Sequence, residues 1–123
     1  MEIRAESSDD IDVLHISGRL DLVSSSALKD QVRLRLQDHR TQIVLDCEGL
    51  DFINSSGLGA LVSVLKDVRL AGGRLVLCRL APYVDEIFEI TGLKRVFDVY
   101  RSVGDALASF ASQARERLKS VRP

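Results

Sequence analysis

The sequence predicts an α/β fold, a small mixed β-sheet of four to five strands packed against about four helices. Continuous apolar runs of strand length recur along the chain as "IDVLHIS", "QIVLDC" and "RLVLC". The stretches between them carry apolar residues at i, i+3 and i+4, the spacing of one helix face. The chain also opens on two strand-like segments joined only by the turn residues "SSDD", which reads as a hairpin. The order is therefore β-β-α-β-α-β-α-β-α, and alternation of that kind sets helices against a parallel or mixed sheet.

Each element has its own signal. "EIRAES" and "IDVLHIS" form the hairpin. In the second strand Ile11 and Val13 share one face and Leu14 and Ile16 the other, so it is expected to be central. "GRLDLVSSSALKDQVRLRLQDH" leads into a helix with Ser24, Ser25 or Ser26 as its cap and Leu28, Val32 and Leu36 as its stripe. Leu34 lies off that stripe. "QIVLDC" is apolar throughout, as suits a strand covered on both faces, and is expected to end at Asp46. Leu58, Leu61, Val62, Leu65 and Val68 give the next helix its apolar face, and Gly72 or Gly73 ends it. "RLVLC" is a strand, and Pro82 opens a short helix, "YVDEIFEI", that Gly92 closes. "FDVY" is a last edge strand. Ser102 and Asp105 resemble a capping box at the start of a final helix lined by Ala106, Leu107, Phe110 and Ala114. The expected division is one domain over residues 1–110, with 111–123 the end of the last helix and a mobile tail.

Composition narrows the function. With 123 residues, 46% apolar and 28% charged, the chain suits one globular domain. A net charge of −1 and 5% aromatic residues without Trp argue against a nucleic-acid binder. No apolar run is long enough to span a membrane and "MEIRAESSDD" lacks the layout of a signal peptide, so a cytoplasmic protein is expected. Cys47 and Cys78 each follow a strand-like run and read as buried thiols. His15 and His39 are isolated, so no metal site is expected.

One motif stands out. "NSSGLG" joins a strand-like run to a helical stripe and carries two adjacent hydroxyls. It is no phosphate-binding loop, since no Lys follows the glycines and G-x-G-x-x-G is absent. It is no hydrolase elbow, because Asn54 precedes Ser55 where G-x-S-x-G needs another pattern, and neither His is placed to act as base. Asp46 as a receiver aspartate lacks the acidic pair and the late Lys. Two readings remain: Asn54 or Ser55 serves only as a helix cap, or the hydroxyl at this corner accepts a phosphate. A phosphate there would face the positive end of a helix dipole and free N–H groups, changing surface charge while the domain stays folded.

"NSSGLGALVSVLKDVRLAGGRLVLCRLAPYVDEIFEITGLKRVFDVY", with "ISGRLDLVSSSALKD" before it, resembles the STAS domain of bacterial anti-sigma factor antagonists over residues 3–110. The resemblance implies a regulator that is not an enzyme and needs no cofactor. Unphosphorylated, such a protein binds an anti-sigma factor that is also a serine kinase. The kinase phosphorylates it and ends the complex, and a serine phosphatase restores it. Carried onto this chain, the acceptor is Ser55, Asp21 is the acidic residue near it, and Ser56 follows it. The partner surface would include Asp21, Asn54, Ser55, Ser56, Gly57 and Leu58. Where the family usually has an acidic residue before the acceptor, this chain has Asn54, which keeps the capping ability and removes a charge. The alternative is a constitutive scaffold or interaction domain whose Ser55 is only a cap. No nucleic acid or membrane partner is expected.

Overall fold

In the computed structural model, which describes the backbone of residues 1–121 and the side chains of residues 1–113, a hairpin leads into three strand–helix crossovers. β1 (Glu2–Ser8) pairs antiparallel with β2 (Ile11–Leu20). There follow α1 (Leu22–Gln37), β3 (Gln42–Ile53), α2 (Ser55–Leu70), β4 (Arg74–Cys78) and α3 (Pro82–Thr91). A 3-10 turn at Leu93–Arg95, β5 (Val99–Tyr100) and α4 (Val103–Val121) complete the order. The strands lie in the sheet in chain order, and β2 to β5 are parallel, so the sheet is mixed, as the alternation predicts.

Right-handed crossovers that step always in one direction put their helices on one face. Accordingly Leu28 and Val32 of α1, Leu61, Val64 and Val68 of α2, and Val84 and Phe88 of α3 join one core with Leu14, Ile16, Ile43, Leu45, Leu75 and Leu77. On the other face Ala106 and Phe110 of α4 meet Val13, Val44 and Val76. β2 lies between β1 and β3 with Leu14 and Ile16 on one face and Val13 on the other, which is why both its faces are apolar. Among the described residues no helix is long and apolar enough to cross a membrane.

Several local expectations are corrected. β3 does not end at Asp46. It runs on to Ile53, paired with β2 alone once the last β3–β4 pair, Asp46 with Cys78, is passed. β2 likewise extends through Gly18 to Leu20, with register shifts in the two-strand ribbon. Local pattern does not show "EGLDFI" as strand, because this overhanging ribbon fully buries only Leu50 and Ile53 and leaves Glu48, Gly49 and Asp51 exposed. Val62 is 40% exposed and lies off the α2 stripe, where Ala60 and Val64 are buried instead. Leu34, off its stripe in the sequence, is exposed. α2 ends on Gly72 at φ 77°, and α3 on Gly92 at φ 76°. The Ser102 hydroxyl accepts from the Asp105 N–H at 3.0 Å, but no return bond from the Ser102 N–H to the Asp105 carboxylate is present among the described residues. The helix backbone reaches Val121. The expected apolar role of Ala114 lies outside the described side chains; of the expected tail, 111–123, the backbone to Val121 is helical and residues 122–123 lie outside those described.

α2 can start where it does only because residue 57 has no side chain. A Cβ there would collide with the Leu20 carbonyl oxygen and come within 2.9 Å of Ile53 Cγ1. Both neighbours belong to the ends of β2 and β3, which the sheet holds in place. Gly57→Ala should therefore destabilise the fold by about 2 kcal/mol or more, as overpacking against rigid backbone does. Urea unfolding with an unchanged slope would measure it, and a loss below about 0.5 kcal/mol, the range of an ordinary surface change, would show that the corner has room.

Candidate functional site

Two strand-to-helix corners sit side by side. β2 ends at Leu20 and β3 at Ile53, and these residues are register partners. The Asn54 N–H reaches the Leu20 carbonyl at 3.4 Å, and the buried Ser25 hydroxyl lies 3.5 Å from the Ser56 carbonyl. The N-termini of α1 and α2 thus open at one end of the sheet, and each contributes partial positive charge there.

The α1 cap differs from the sequence expectation, and at α2 the structure selects Asn54 from the two residues offered. Asp21, not one of the three serines, caps α1. Its carboxylate accepts from the Val23 and Ser24 N–H groups, both at 3.1 Å, while the Ser24 hydroxyl accepts from the Asp21 N–H at 2.9 Å. This is a capping box with serine in the returning position. The bond from the Ser24 backbone N–H is the chief reason the Asp21 carboxyl titrates below its ordinary range. At the second corner Asn54 is the cap, its side-chain oxygen accepting from the Gly57 N–H at 3.1 Å.

Ser55 is therefore the first helical residue and has no capping duty, which corrects the reading of Ser55 as a cap. It is exposed, and among the described residues its hydroxyl has no hydrogen-bond partner. Ser56 is half-buried. Gly57 is buried and serves close approach, and Leu58 is half-buried against the core. The sequence-predicted site residues meet at one corner, but Gly57 and Leu58 support it from beneath. No described His or carboxylate hydrogen-bonds Ser55, so the hydroxyl lacks the base that a nucleophile needs.

Three residues of this corner went unrecognised in the sequence. Arg19 lies 3.7 Å over the Phe52 ring and 3.8 Å from the Asp21 carboxylate. Tyr83, from the start of α3, accepts the Ile53 N–H on its hydroxyl at 2.9 Å. Arg19 and Phe52 become neighbours only through the β2–β3 register, and no local spacing connects Tyr83 to Ile53.

A second polar cluster occupies the sheet face that α4 leaves open beside β1. Asp46, 3% exposed, receives Arg79 at 2.5 and 2.9 Å and lies 2.5 Å from His15 Nδ1. His15 Nε2 in turn meets Glu6, and Arg79 meets Glu48. Burial pushes the Asp46 carboxyl up, but the hydrogen bonds from Arg79 and His15 outweigh it and bring it down to about 2. Every group in this cluster is answered from within it. Burial pushes the Cys78 thiol up to about 12 and the Cys47 thiol higher still, so both stay protonated at neutral pH. Among the described residues no group of three or more His, Cys, Asp or Glu is placed to hold a metal ion.

Comparison with known proteins gives a consistent picture. The STAS domain profile matches residues 2–106. BtrV of Bordetella bronchiseptica is 32% identical over 110 residues, covering 89% of this chain and 95% of that one. The anti-sigma-B factor antagonist of Bacillus subtilis is 30% identical over 94 residues, covering 76% and 84%. The crystal structure of an anti-sigma factor antagonist from Mycobacterium paratuberculosis matches with a TM-score of 0.78 at 25% identity, covering 88% of this chain and 92% of that one.

The division of labour at the second corner is measurable. Asn54→Ala should cost about 1 kcal/mol, the usual loss of an N-cap, whereas Ser55→Ala should stay within about 0.5 kcal/mol. Equal losses in chemical denaturation would mean that both side chains cap. For the second cluster, the lowered folded-state value of Asp46 means its stabilisation is present above the ordinary carboxylate range and disappears as pH falls toward about 2. Asp46→Asn should thus be less stable than the native chain by about 2 kcal/mol near pH 7, and the gap should close on acidification from pH 4 to about 2. A gap that does not change with pH would show that the ion pairs contribute nothing.

Proposed function

This chain belongs to the STAS domain family, and we propose that it is an anti-sigma factor antagonist whose binding is controlled by phosphorylation of Ser55. In its unphosphorylated form it holds an anti-sigma factor with serine kinase activity. Phosphate on Ser55 ends that complex, and a serine phosphatase reverses the modification. The protein acts as a binding regulator and a kinase substrate.

The observation that carries the reading is the free Ser55 hydroxyl at the first position of α2, with Asn54 holding the cap. A phosphate on a capping serine would dismantle the cap. On Ser55 it leaves the Asn54–Gly57 bond intact and stands before the free N–H groups of the first turn. The adjoining α1 N-terminus adds to the same field, though the Asp21 carboxylate already occupies its N–H groups. The folded domain therefore tolerates the added charge, about −1.5 to −2 at neutral pH. A partner surface matched to a neutral hydroxyl does not, because it would have to bury that charge beside Asp21 without compensation. Asn54 fits the same scheme. It caps as well as an aspartate without placing a negative charge beside the incoming phosphate.

The test is phosphopeptide mapping after incubation with the cognate kinase and Mg-ATP, followed by calorimetric titration. Phosphate should appear on Ser55 and not on Ser56. The phosphorylated protein and Ser55→Asp should keep the circular dichroism spectrum yet bind the kinase more than a hundredfold more weakly, about 3 kcal/mol. Undiminished affinity of the fully phosphorylated protein would favour a constitutive interaction domain instead. Lost binding together with unfolding would remove the electrostatic account.

A further inference from the structure

β3 overhangs the sheet. Its last bridge to β4 pairs Asp46 with Cys78, so residues 47–53 have β2 on one flank and no strand on the other. A parallel strand turns alternate N–H groups to opposite flanks. Asn54 sends its N–H back to the Leu20 carbonyl of β2, and Ile53, one residue earlier, directs its own to the empty flank. There the Tyr83 hydroxyl, 2.9 Å away, takes the place of the missing strand.

The tyrosine is well fixed for this task. Pro82 occupies the first position of α3, where its locked φ suits the helix start. Val84 and Phe88 are fully buried in the core shared with Leu61 and Val64 of α2. Tyr83 stays 41% exposed, so burial alone does not account for a tyrosine here. Its bond ends on the residue that directly precedes the Asn54 cap, two before Ser55. The corner is thus held from both sides, by Leu20 through the Asn54 N–H and by Tyr83 through the Ile53 N–H.

We infer that Tyr83 is a positioning residue for Ser55: its hydroxyl, by closing the open flank of β3 at Ile53, fixes the corner from which Ser55 is presented to the kinase. The inference rests on the reading of Ser55 as phosphoacceptor. Without the bond the Ile53–Asn54 peptide gains freedom, and the serine samples orientations in which its hydroxyl is out of line for transfer. The whole docking surface still forms, so the effect falls on the transfer step and not on substrate binding.

Tyr83→Phe removes the hydroxyl and keeps the ring. In the unmodified protein, amide hydrogen exchange at Ile53, Asn54, Gly57 and Leu58 should become at least tenfold faster, with the amides of Leu61–Val68 and β4 unchanged. With the cognate kinase, kcat for Ser55 should fall at least fivefold while KM stays within twofold. Unchanged exchange at the corner would overturn the inference. A uniform rise throughout α2 and β4 with unaltered kcat would also overturn it, leaving Tyr83 a general stabiliser. If the native chain is not phosphorylated on Ser55 at all, the phosphoacceptor reading fails first. The exchange data then still report whether Tyr83 holds the corner.

Discussion

The contact between Gly57 and the Leu20 carbonyl sets the geometry on which the rest of the site depends. Parallel strands that end in register bring their following helices to the same edge, and two helices cannot start there with full side chains between them. Removing one side chain lets α2 begin directly against the end of β2. Two helix N-termini then open on one spot, and Asp21 and Ser55 come to the same rim from positions far apart in sequence. The tight packing also explains why each corner needs its own cap: neither helix start has spare neighbours to satisfy its free N–H groups.

Under the proposed function, the corner divides structural duty and signalling duty between adjacent residues. Asn54 satisfies the helix, and Ser55 is left exposed with no hydrogen-bond partner for its hydroxyl among the described residues. A residue free of structural obligations can be modified without loss of the fold, which is what a reversible switch requires. The polar cluster at Asp46 shows the opposite arrangement. There Arg79, His15, Glu6 and Glu48 consume one another's charges around a buried carboxylate, and the network ties β1, β2 and β3 to the end of β4. It holds stronger charges than the Ser55 corner, and none of them is left free for a ligand.

Much of the fold was legible in the sequence because it rests on local patterns. "RLVLC" coincides with β4, Pro82 and Gly92 bracket α3, and Leu28 and Val32 lie in the core as their spacing requires. The errors share a cause. The extension of β3 to Ile53 is not visible in local pattern, because "EGLDFI" mixes charges and a glycine into a strand that is paired on one side only. Three serines in a row compete with one aspartate as the α1 cap, and only the end of β2 at Leu20 selects Asp21. Val62 has nearly the spacing of the buried stripe, yet the orientation of α2 turns this one residue toward solvent.

By itself the sequence determined the order of elements, the family and the serine pair at the α2 corner, because periodicity, turn residues and a contiguous motif are written along the chain. Only the tertiary structure decided which side chain caps which helix, and therefore that Ser55 is free. It also decided that Arg19 covers Phe52 and that Tyr83 completes the open flank of β3. These are relations between residues that no helical or strand period connects. They arise from strand register and from the close approach at Gly57, and both are fixed when the sheet and its helices pack together.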